Sequence, residues 1–179
     1  MNETEAPRKW SEEELQAEAE FQVSQRLQKG NNQEYGRQGA SRSHAKQVSH
    51  AKRGLKLENL IYYELDIPYV PNHEQWKTKK ADLFDDCEIR NTQERNMNVI
   101  IRPQDFNKIK SKLVLGHAET ETIHGWLHFT EALEIAQQHN EFFKAEPFNG
   151  GAPYWSIPLS YFEGKLKPIS DLKASCIDA

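Results

Sequence analysis

Apolar positions follow a helical period in the first third of the chain and alternate in short runs after it. Leu15, Ala19, Val23 and Leu27 recur at near-helical spacing, with Phe21 off the stripe, behind Ser11-Glu12-Glu13-Glu14. That tetrapeptide has the form of a capping box, so a helix is predicted over about residues 12–28, ended by Gly30. Its apolar face is thin, which suits weak docking or recruitment of a partner. A polar stretch from Asn31 to Ser43 reads as a mobile linker. A second helix is predicted from about His44 to Leu65, with Val48, Leu55, Leu60, Ile61 and Tyr62 inward, Glu58 among them, and Gly54 as a weak point. Pro68 forbids its continuation, so Ile67-Pro68-Tyr69-Val70-Pro71 is expected to be extended.

Beyond a polar turn at Asn72-His73-Glu74 the pattern becomes strand-like. Strands are predicted near residues 80–84, 86–91, 97–102, 112–116 and 121–127. Asn98-Val99-Ile100-Ile101-Arg102 and Lys112-Leu113-Val114-Leu115 carry the β-branched and apolar enrichment of core strands. Thr130 is the expected cap of a helix over about 131–140, whose Ala132, Leu133, Ile135 and Ala136 cover the sheet. The tail with Tyr154-Trp155-Ser156-Ile157-Pro158-Leu159 is expected to fold back as an aromatic-rich extension. This order of elements defines an α/β (α+β) chain: an N-terminal helix and linker over residues 1–43, then a body over 44–179.

A length of 179 residues suits one domain with an appended segment. A 37% hydrophobic and 28% charged composition, with mean hydropathy −0.85, places the polar excess in the N-terminal third. Cys87 and Cys176 form neither a disulfide framework nor a metal-ligand spacing. No apolar run approaches the roughly 20 residues that span a bilayer, and the start lacks the order of a secretion signal. A soluble protein of the cytoplasm is therefore expected. No glycine-rich phosphate loop, Gly-x-Ser-x-Gly elbow or internal repeat is present, which removes several enzyme classes. His124 and His128 are four apart but fall in a strand, where a shared zinc site is not expected; His117 is expected in an exposed loop.

Charge is segregated more than the net value of −4 suggests. Between Tyr35 and Leu57 lie Arg37, Arg42, Lys46, Lys52, Arg53 and Lys56 with no acid, a run that suits phosphate contact or a solvated helix face. Downstream, Asp82, Asp85, Asp86 and Glu88 place four carboxylates in seven residues. In Cys87-Glu88-Ile89-Arg90 a strand sends Glu88 and Arg90 to one face, Cys87 and Ile89 to the other. Two carboxylates about 4 Å apart repel by roughly 4 kcal/mol at an effective dielectric near 20. A fold that brings Asp82 and Glu88 together must therefore protonate one or neutralise both, and Mg²⁺ does the latter with one or two carboxylates plus water and phosphate oxygens. The alternative is a solvated acidic turn with Glu88 paired to Arg90 or a neighbouring strand.

A helix bearing Glu58, then Asp82, then Glu88-Ile89-Arg90, then further strands and a helix resembles the PD-(D/E)XK, or restriction-endonuclease-like, nuclease superfamily over about residues 44–140. More closely, Glu88-Ile89-Arg90-Asn91-Thr92, Asn98-Val99-Ile100-Ile101-Arg102-Pro103-Gln104-Asp105, Leu113-Val114-Leu115 and Ile123-His124-Gly125-Trp126-Leu127 look like small phage-type nuclease-like proteins. The resemblance implies a mixed central β-sheet flanked by helices. It also implies Asp82 and Glu88 as ligands of Mg²⁺ or Mn²⁺, Glu58 as the helix carboxylate and Arg90 in the lysine position. No Pro precedes Asp82, and an arginine with a pKa above about 12 orients but does not act as a base; Lys79 or Lys80 could reach the site instead. The expected activity is metal-dependent phosphodiester hydrolysis, DNA being the expected polymer, with Lys46, Lys52, Arg53 and Lys56 on phosphate. The alternatives are a nuclease-fold module that binds nucleic acid or a protein without cutting, and a structural protein acting through its N-terminal helix as a homodimer or with a partner. For a phage-encoded chain the compartment is the host cytoplasm.

Overall fold

The computed structural model describes residues 6–28, 44–69, 82–84, 86–147 and 151–172. The linker of 31–43, the turn at 72–74, Lys79, Lys80, Asp85, the Leu27 side chain and Cys176 lie outside the described residues. Helix α1 (Glu12–Gln28) begins at the capping box: the Glu14 N–H donates to Ser11 Oγ at 3.1 Å, and the Ser11 N–H donates to Glu14 Oε1 at 3.0 Å. Helix α2 (His44–Glu64) runs unbroken through Gly54. It serves two layers. Val48 and Leu55 meet Leu15, Ala19 and Val23 of α1, while Leu57 and Ile61 meet the sheet. Leu15, Ala19 and Val23 of the thin α1 stripe are thus covered, and Asn59 adds a clasp by accepting the Trp10 N–H at 2.7 Å and donating to the Arg8 carbonyl at 3.0 Å.

The strands divide between two three-stranded sheets. In the first, β1 (Cys87–Asn91) runs parallel to β3 (Lys112–His117), which pairs antiparallel with β4 (Thr122–His128). In the second, β6 (Tyr154–Ile157) lies between β2 (Val99–Ile101) and the short β5 (Phe143–Lys144), all antiparallel. The tail expected as an extension therefore supplies a central strand, because Trp155 and Ile157 complete the core around Val99 and Ile101. The whole is a mixed α/β arrangement of the α+β kind.

β3 is buried on both faces. Leu113 and Leu115 point to a core shared with α3 (Phe129–Gln138) and the second sheet, while Val114 points with Cys87 and Trp126 to α2. α3 starts at Phe129, ahead of the position expected from Thr130, because the His128 N–H already finds Glu131 Oε1 at 3.3 Å and Phe129 is buried. His117 is not on an exposed loop: it ends β3 fully enclosed, its Nδ1 2.9 Å from Thr92 Oγ1. His124 and His128 both lie on β4, as the strand reading requires. Among the described residues no helix is long and apolar enough to cross a membrane.

Candidate functional site

β1 is where charge meets the core. Cys87 is buried against α2, and Ile89 packs against the same cluster, so Glu88 and Arg90 take the opposite face. The chain enters β1 through a tight reversal in which Leu83 and Cys87 exchange backbone hydrogen bonds of 3.0 and 3.1 Å. Phe84, at φ 51°, makes the turn. This reversal lays Asp82 beside β1, where its Oδ2 accepts the Ile89 N–H at 2.9 Å. The Tyr62 hydroxyl of α2 donates to the Asp82 carbonyl at 2.7 Å and ties the turn to the helix.

Asp82 and Glu88 are thereby brought together. The Glu88 carboxyl is held above its ordinary value, first by burial, then by the negative charge of Asp82 and a hydrogen bond between the two groups; Lys108 and Arg90 oppose the shift. Two half-buried carboxyls held this close are a site in want of positive charge. Lys108, at the end of a 3₁₀ turn over Pro103–Lys108, brings its Nζ to 3.8 Å from Glu88 Oε2.

Arg90 is placed differently from Glu88. One guanidinium nitrogen donates to the Ile100 carbonyl at 2.9 Å and to Asp105 Oδ2 at 2.8 Å; the other reaches Asp105 Oδ1 at 3.1 Å. Its carbon lies 5.6 Å from the centre of the Phe129 ring. The same Asp105 accepts the Arg102 N–H at 2.8 Å, so one buried carboxylate anchors both the arginine and the 3₁₀ turn. Burial works against the charged form of Asp105, but Arg90 and the Arg102 N–H outweigh it and hold the carboxyl below its ordinary range.

Glu58 stands on α2 one turn before Tyr62 and accepts the Tyr69 hydroxyl at 2.6 Å; burial and this carboxylate raise the Tyr69 hydroxyl far above its ordinary value. Burial first, and then the charges of Glu58 and Asp82, raise the Tyr62 hydroxyl as well. Among the described residues no three His, Cys, Asp or Glu side chains converge as a metal-ligand group. The donor set is the Asp82–Glu88 pair, which matches the one or two carboxylates that Mg²⁺ takes alongside water and phosphate oxygens.

The basic stretch of α2 faces other partners. Lys52 and Lys56 each lie 3.0 Å from Glu12 of α1, and Arg53 binds Glu119 and the Thr92 carbonyl while its Nη2 lies 3.5 Å from His117 Nδ1. These cations join α1 to α2 and α2 to the end of β3; Lys46 is exposed in the first turn. The acids that hold them are far off in sequence, so a charge count over neighbours missed the pairing. It also missed Lys108, Asp105 and the two tyrosines; only Arg102-Pro103-Gln104-Asp105, with Pro at the first position of a turn and an acid beyond it, signalled a capped turn.

Comparison with protein-family models, with curated proteins and with solved structures finds no match to this chain.

Proposed function

We propose that the protein is a metal-dependent nuclease of restriction-endonuclease-like architecture that hydrolyses phosphodiester bonds in nucleic acid, with DNA the expected polymer. Asp82 and Glu88 hold Mg²⁺ or Mn²⁺ in this reading, and Glu58 supports the site from α2. The observation that carries it is the close pair of side chains formed by Asp82 and Glu88 across the turn into β1, with Glu88 raised by burial and by its neighbour. A bound divalent ion supplies charge neutralisation at the phosphoryl oxygens and a lowered pKa for water. The chain's own part is to hold the two carboxylates close and half-shielded from solvent, Glu88 on β1 and Asp82 on the turn that enters it.

Calorimetry with Mn²⁺ on the wild type and on Asp82→Asn tests the site, paired with cleavage assays on single-stranded, duplex and branched DNA in Mg²⁺. The expected result is binding and cleavage by the wild type, with both lost or greatly weakened in the variant. Equal Mn²⁺ affinity in the two proteins would remove the metal from the account. A second reading, a module that binds nucleic acid without cutting, is favoured by one feature: the guanidinium of Arg90, in the lysine position, is engaged by Asp105 and Ile100. Metal binding without cleavage of any substrate would select it.

A further inference from the structure

Among the described residues Arg90 and Lys108 are the cations that act on Glu88, and they differ in what they are able to touch. The Arg90 side chain is 15% exposed, bridged twice to an Asp105 that is itself 2% exposed, and laid over Phe129. To meet a phosphate it would have to leave a buried carboxylate uncompensated, which a low-dielectric interior strongly disfavours. The Lys108 side chain is 37% exposed, and its ammonium stands 3.8 Å from Glu88 Oε2, beyond direct hydrogen-bond range. It is held near the carboxyl pair without being consumed by it. Lys112, also close to the turn, is 15% exposed and pairs with Asp86 at 2.9 Å.

We infer that Lys108 is the residue that contacts a phosphoryl oxygen of the scissile phosphodiester, and that the Arg90–Asp105 pair is the strut that positions it. This rests on the nuclease reading of the Asp82–Glu88 site. The connection is short: Arg90 on β1 holds Asp105, Asp105 holds the Arg102 N–H at the start of the 3₁₀ turn, and the turn ends at Lys108. Glu88 and Arg90 leave the same face of β1, so the strand that carries the metal ligand also sets where the lysine stands. An ammonium is a compact point charge on a flexible stem, suited to following a phosphoryl oxygen through a reaction, while the planar guanidinium fork is suited to a fixed carboxylate. The two residues thus exchange the tasks that a lysine two positions after the glutamate would combine.

The test uses the full chain as wild type, Lys108→Gln, Lys108→Arg and Asp105→Asn. Three readouts are taken: DNA cleavage in Mg²⁺, anisotropy of labelled duplex and single-stranded DNA in Ca²⁺ over a salt series, and Mn²⁺ calorimetry. Lys108→Gln is expected to keep Mn²⁺ affinity, to lose cleavage on the order of 10²-fold, as loss of one charge-stabilising donor does, and to flatten the log–log salt slope for duplex by about 0.9. Lys108→Arg should restore the salt slope and part of the rate. Asp105→Asn should lower kcat while Mn²⁺ affinity stays near wild type. Unchanged cleavage and an unchanged salt slope in Lys108→Gln would overturn the assignment while leaving the metal site standing. If the wild type binds DNA but cuts nothing, the nuclease reading fails and the salt slope alone judges Lys108: a slope equal to wild type overturns its phosphate contact. A wild type that neither binds nor cuts overturns both.

Discussion

Asp105 shows how much one buried carboxylate can organise. Its two oxygens take the Arg90 guanidinium and the Arg102 N–H, and almost none of it meets water. Removing one partner of such a pair strands the other, at a cost of about 3–5 kcal/mol. The pH dependence follows from the direction of the shift. The folded protein holds the Asp105 carboxyl below the unfolded value of 3.8, so its contribution is fully present above that value and is lost as pH falls through the folded one. Asp105→Asn should therefore be markedly less stable than wild type at pH 7, with the gap closing below about pH 3.8. Urea melts at pH 7 and pH 3 measure it; a gap of constant size would mean that Asp105 acts by packing and not by charge.

Among the elements, α2 carries the most. Its Val48 and Leu55 stripe receives α1, its Leu57 and Ile61 stripe lies on the first sheet, Tyr62 reaches the acidic turn, and Glu58 holds the Tyr69 hydroxyl. A helix with two apolar stripes cannot be solvated on either, which gives α1 a structural task. Leu15, only 2% exposed, is a direct probe of that contact. Leu15→Ala should cost about 2–5 kcal/mol in chemical denaturation, the range for a buried leucine whose cavity does not collapse. A loss under about 0.5 kcal/mol would mean that α1 leaves α2 in solution. The ion pairs from Lys52 and Lys56 to Glu12 add little, since exposed pairs are worth at most about 1 kcal/mol.

For the whole molecule, the balance at Asp82 and Glu88 is felt as global stability. A carboxyl raised by folding contributes stability below its unfolded value of 4.5 and loses it as pH rises through the folded one, so at neutral pH the metal-free protein carries a repulsion. Glu88→Gln relieves it at the small cost of a 3.8 Å contact with a part-exposed Lys108. In EDTA at pH 7 the variant should melt higher, by about 2–4 °C if the relief is near 1 kcal/mol. Saturating Mg²⁺ should reverse the order, since a ligand at 100 times its Kd stabilises by about 2.7 kcal/mol and the variant lacks a ligand. Four melting curves decide it; a variant less stable in EDTA, with neither protein responding to Mg²⁺, would leave the acidic turn as surface.

Local pattern determined a good deal of this. The capping box at Ser11 and Glu14, the two N-terminal helices, the strands around Cys87–Asn91, Val99–Ile101, Lys112–His117 and Thr122–His128, and the opposed faces of Glu88 and Ile89 all follow from interactions within a few residues. Periodicity reports which way a side chain leaves its own backbone, and nothing about what it meets. Only tertiary structure decided that Tyr154–Ile157 becomes a central strand, that His117 is enclosed, and that Lys52, Arg53 and Lys56 turn to Glu12 and Glu119. The same holds at the site. Asp82 and Glu88 were legible together because six residues and one turn separate them; Arg90 with Asp105, and Lys108 with Glu88, were not, because chain folding and not spacing brings them within reach. An ion pair is chosen by distance in space and by the dielectric around it, and both exist only once the core has closed.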